Sequence, residues 1–123
     1  MVISALEGGE YYMFIKPLTK DADKLICLMY KIYLERRKRK IIKDEASYFG
    51  DAEKIQKDII PDWLVEDVVT TCWELHRKDL LFCHPGDNSA NDVSLTNDGV
   101  VYMENRFANG LSDVVDFLTK FVP

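Results

Sequence analysis

LLFCHPGDNSANDVSLTNDGVVYMENRF, residues 80–107, holds the order of elements that decides the fold. Leu80–Cys83 is a short apolar run suited to a strand, Pro85–Asn91 is a concentration of turn residues, and Val93–Leu95 alternates faces as a returning strand. Thr96 supplies a side-chain oxygen that can cap a helix, and Val100, Met103 and Phe107 recur on one face of that helix. Gly99, inside its first turn, lets the helix come close to the strand, and Met103 reaches the core. A two-stranded ribbon thus runs directly into a helix.

Upstream, a helix is expected over 62–79, opened by Asp62 after Pro61. Leu64, Val65, Val68, Val69, Cys72 and Leu75 form its apolar stripe, with Trp73 at one edge. Residues 44–60 read as one or two short helices broken at Gly50, with Asp51 able to cap the second. Before them, Leu25, Leu28, Met29, Ile32 and Tyr33 set a helix from Asp21 to about Arg39, with Thr19 or Asp21 as its cap. Gly8-Gly9 divides residues 1–18 into a hairpin arm that contains Tyr11, Tyr12 and Phe14. Asn109-Gly110 ends the ribbon-linked helix. A last helix from Ser112 then carries a stripe of Leu111, Val114, Val115, Leu118, Phe121 and Val122. That stripe suits packing on the first helix, and Leu111, Val115, Leu118 and Val122 equally suit pairing across a two-fold to form a homodimer.

Helix, short helix, helix, ribbon, helix is the winged helix-turn-helix order. Leu95-Thr96-x-x-Gly99-x-x-Tyr102-Met103 resembles the junction that recurs across winged-helix proteins. More narrowly, EDVVTTCWELHRKDLL (66–81), a ribbon, then SLTNDGVVYMENRF (94–107) looks like the small YjcQ-type winged-helix proteins of Gram-positive bacteria and their prophages. The expected fold is mainly α with a small β-ribbon: one domain over 1–123, with a hairpin arm (1–18), a winged-helix core (19–107) and an added terminal helix (108–123). The resemblance implies a DNA-binding type of fold and a small regulator of prophage or mobile-element type acting on double-stranded DNA. Separately, MVISALEGGE (1–10) lacks the basic and apolar regions of a secretory signal, so a cytoplasmic protein is expected.

Charge tests that implication. ERRKRK, residues 35–40, places five cations in a row in a chain of net charge −5. Residues 1–61 carry twelve basic groups against ten acidic ones, so the positive charge sits toward the N-terminal half. The expected reading helix, 62–79, carries five carboxylates (Asp62, Glu66, Asp67, Glu74, Asp79) against Arg77 and Lys78. Residues 80–99 carry Asp87, Asp92 and Asp98 and no Lys or Arg. Phosphate neutralisation supplies most of the affinity of a groove reader, so acid on both reading surfaces opposes ordinary docking. The candidate DNA contacts are therefore Arg36, Arg37, Arg39 and Lys40 at the end of the first helix, helped by Lys43, Arg77 and Lys78. Cations there also suit the carbonyl end of the helix dipole. The alternative is a protein adaptor whose acidic surface meets a basic partner, including the basic run of a second copy.

Composition limits the rest. At 123 residues and 47% apolar content the chain suits one globular domain, and no apolar run approaches the roughly 20 residues of a membrane helix. Cys27, Cys72 and Cys83 are odd in number and read as small core residues rather than a disulfide framework. Cys72, His76, Cys83 and His84 are the one set with zinc-ligand chemistry. Cys72 lies in the apolar stripe, however, and adjacent strand residues face opposite ways, so no metal or other cofactor is expected. No nucleophile–base pair or glycine-rich phosphate loop is present, and no enzyme is expected.

Overall fold

The computed structural model describes residues 17–121. Apart from Pro17 and Leu18, the expected hairpin arm lies outside the described residues, as does Val122. Thr19 caps the first helix, α1 (Lys20–Lys38), its hydroxyl accepting from the Ala22 N–H at 3.1 Å. Asp21 and Asp23 occupy the first turn and Arg36, Arg37 and Lys38 the last, so both ends complement the helix dipole. The chain then forms a single turn, α2 (Lys43–Ala46), and a strand, β1 (Tyr48–Gly50).

That strand corrects the helix-only expectation for 44–60. Tyr48 and Phe49 are aromatic strand formers, and the strand Ser89–Leu95 offers them an open edge. Tyr48 lies opposite Ser94, and the Leu95 N–H donates to the Ser47 carbonyl at 2.9 Å. Gly50 leaves the strand at φ +81°. Asp51 then caps α3 (Ala52–Asp58) by accepting from the Lys54 N–H at 2.9 Å, as its residue type implied.

Asp62 does not cap the next helix. The side-chain amide of Gln56 donates to the carbonyls of Pro61 (2.9 Å) and Trp63 (3.0 Å), which ties residues 61–63 into a turn. Helix α4 (Val65–Arg77) starts after Leu64, which is 67% exposed rather than part of the buried stripe. Val68, Cys72 and Leu75 are fully buried, with Val69 and Trp73 packed at the core edge.

Strands β2 (Leu81–Gly86) and β3 (Ser89–Leu95) are longer than expected. Only Asp87 and Asn88 form the turn, with φ of 52° and 56°, the left-handed pair that a tight two-residue hairpin requires. His84 lies opposite Asn91 but Phe82 opposite Ser94, so β3 carries one extra residue in a bulge, where Asp92 takes φ 49°. The antiparallel sheet runs β1-β3-β2.

At the junction with α5 (Asn97–Arg106), the Thr96 hydroxyl accepts from the Gly99 N–H at 2.8 Å and donates to the Asp79 carbonyl at 2.6 Å. A Cβ on Gly99 would lie 2.3 Å from the Leu80 carbonyl oxygen, so the close approach admits glycine only. Met103 is fully buried. Arg106 pairs through both guanidinium nitrogens with Asp23, fastening α5 to α1. Helix α6 (Leu111–Leu118) begins one residue earlier than expected and continues as a 3₁₀ turn to Phe121. The whole is a small α+β domain of six helices and a three-stranded sheet among the described residues. No helix there is long and apolar enough to cross a membrane.

Candidate interaction surfaces

The basic run divides into two kinds of side chain. Arg36 points inward: its guanidinium donates to the carbonyls of Tyr48 (2.7 Å) and Ala46 (3.2 Å) and lies 4.8 Å from the centre of the Phe49 ring. Burial holds its pKa below the usual arginine value, and the nearby charge of Arg39 acts in the same direction. Arg36 therefore closes the segment from α1 to β1, and nothing in its residue type sets it apart from its neighbours. Arg37, Lys38, Arg39 and Lys40 are exposed, as is Lys43 at the start of α2. None of these five has an ion pair among the described residues. Ile42, between Lys40 and Lys43, is 61% exposed.

Across the molecule, α3, the first turns of α4 and the β2–β3 turn enclose a groove of about 390 Å³. Val65 and Val69 give it an apolar lining, while Glu53, Glu66 and Asp87 supply carboxylates and no cation among the described residues lines it. Ser89 also lines it, and its buried hydroxyl has no hydrogen-bond partner among the described residues. Asp62, Glu66, Asp67 and Asp79 are exposed on and around α4. Glu74 alone turns to the body, accepting from the Thr19 backbone N–H (3.1 Å) and hydroxyl (2.8 Å). Arg77 is exposed at the far end of α4 and Lys78 is half-buried beside it, both distant in sequence from the basic run. Residue-by-residue reading missed this groove because it exists only once the hairpin folds back beside α4.

The terminal stripe is largely used within the chain. Val114 is fully buried and Phe117 packs on Phe107 with ring centres 5.7 Å apart. Leu111 and Leu118 are half-buried, and Val115 is 40% exposed. Leu111 shares a shallow cleft with Glu35, Lys38 and Arg39, which brings one end of the stripe beside the basic run.

The four potential soft ligands are separated by facing. Cys72 and Cys83 point inward, Cys83 donating through sulfur to the Cys72 carbonyl at 3.7 Å. Burial pushes their thiols up to about 12 and about 11, and Cys27 up to about 12, away from the thiolate a metal or nucleophile would need. The imidazoles of His76 and His84 instead interleave with aromatics in an edge-on ladder, Trp73–His76–Phe82–His84, with centres 4.8 to 6.0 Å apart. No group of three or more potential ligands gathers among the described residues. No protein-family model, curated protein or solved structure matches the chain.

Proposed function

We propose that the chain is a non-enzymatic winged-helix domain that acts as a regulatory adaptor, binding a basic protein surface through the acidic face of α4 and the β2–β3 turn. The winged-helix assignment is supported by the order α1, β1, α3, α4, β2, β3, with the sheet running β1-β3-β2. In that arrangement α4 is the reading helix and the hairpin is the wing. One observation carries the function: the surfaces a DNA reader would press on phosphate expose Asp62, Glu66, Asp67 and Asp87 around an apolar-lined groove. Acid brought to phosphate is repulsive, whereas the same face attracts lysine and arginine. Burial of all three thiols supports the non-catalytic part of the reading.

A second reading is favoured by a different observation. Arg37, Lys38, Arg39, Lys40 and Lys43 form an exposed cationic patch with no ion pair among the described residues, which suits the backbone of double-stranded DNA, as a prophage-type regulator of the YjcQ kind would require. Such binding would be weak, steeply salt-dependent and independent of sequence.

Backbone amide spectra of the labelled protein, titrated with a lysine/arginine-rich peptide and separately with a short duplex, distinguish the two. Peptide shifts centred on Glu66, Thr70 and Asp87 are expected. A duplex that shifts those same residues, with no response to peptide, contradicts the adaptor reading.

A further inference from the structure

Two patches on the described surface complement each other in charge and in apolar content. Residues 37–43 present five unpaired cations and Ile42, and the α3–α4–hairpin groove presents Glu53, Glu66 and Asp87 beside Val65 and Val69. Leu64 immediately precedes this groove on the chain. Ile42 at 61% and Leu64 at 67% are the two most exposed large hydrophobic residues among those described. Neither the cations nor the groove carboxylates take part in a described ion pair.

We propose that residues 37–43 of one copy dock in the acidic groove of a second copy. This names the partner of the face described above and rests on the protein-binding reading of it. Ile42 supplies the apolar anchor against Leu64, Val65 and Val69, while Arg37, Arg39 and Lys40 meet Glu53, Glu66 and Asp87. Exposed ion pairs are individually weak, so the charges set orientation and encounter rate and the apolar anchor gives persistence. Two copies engage both contacts at once, as one isologous interface, if a two-fold relates them; otherwise the contact is heterologous and closes into a ring or propagates from copy to copy.

Sedimentation velocity on the full chain tests this through a charge exchange. Wild type is expected to associate with rising concentration at low salt and more weakly at about 1 M salt, where the screening length is about 3 Å. The groove variant Glu66→Lys/Asp87→Lys and the run variant Arg37→Glu/Arg39→Glu should each sediment as monomers. An equimolar mixture of the two should associate again, because the native run of the first now meets the native groove of the second and the reversed patches also match. Recovery on mixing excludes misfolding as the cause of the single-variant loss. Wild type that stays monomeric at every concentration in low salt overturns the proposal. So does association indifferent to either reversal, or variants that stay apart when mixed. If wild type is monomeric but its groove still binds a lysine/arginine-rich peptide, self-docking fails while the adaptor reading survives.

Discussion

Single side chains at the junctions hold the domain in register. Gly99 is the clearest. An interior helical Gly→Ala change ordinarily stabilises by about 1 kcal/mol, but here the added carbon would meet the Leu80 carbonyl oxygen at 2.3 Å. Gly99→Ala should therefore destabilise, by roughly 1–3 kcal/mol on the usual scale of overpacking, read as a lower urea midpoint. Arg36 and Arg39 look alike in the sequence and differ in the fold. Arg36→Ala removes two charge-assisted hydrogen bonds and should cost about 2 kcal/mol, whereas exposed Arg39→Ala should stay within about 0.5 kcal/mol. The thiols give the pH dependence. Cys27 and Cys72 titrate near 9 when unfolded and at about 12 when folded, so the folded chain holds more protons between those values. Their contribution is fully present below pH 9 and is lost as pH rises toward 12, each by up to about 1.4 kcal/mol per pH unit. Urea midpoints that fall above pH 9, with a shallower fall in Cys72→Ala relative to its own value at pH 7, would bear this out.

At the scale of elements, the helices of 20–38, 65–77 and 97–106 were legible because their apolar spacing and the caps at Thr19 and Thr96 act locally. Strand β1 was not, since three residues show no period and their pairing with β3 is a property of the folded sheet. Asp62 looked like a cap, but the Gln56 amide holds residues 61–63 in a turn that displaces the helix start to Val65. The basic run was visible at once, while its division into one internal arginine and an exposed patch depends on where β1 lies. Helix α6 is where one stripe served two readings. Val114 is fully buried and Val115 is 40% exposed, so the stripe serves internal packing first. Val114→Ala should cost roughly 2 kcal/mol in chemical denaturation. Val115→Ser should leave stability nearly unchanged and leave sedimentation unaltered, whereas a shift to monomer in that variant would point to pairing through α6.

Over the whole molecule, two patches of opposite sign stand out. Arg37, Lys38, Arg39, Lys40 and Lys43 lie exposed at the end of α1 and the start of α2, and Glu53, Glu66 and Asp87 line the groove between α3, α4 and the hairpin, while Lys20, Lys54, Lys57, Arg77 and Lys120 are exposed elsewhere. On the proposed winged-helix reading acid lies where phosphate would sit, so the proposed adaptor role rests on that polarity more than on topology. Fluorescence anisotropy measures the consequence directly, with a labelled lysine/arginine-rich peptide and a labelled random-sequence duplex titrated at low salt against wild type and Glu66→Lys/Asp87→Lys. Expected is peptide binding by wild type that the double variant loses, with duplex binding that the variant gains. Tight duplex binding by wild type that the same reversal leaves unchanged or weakens, together with no peptide binding, would contradict the acidic face as the working surface.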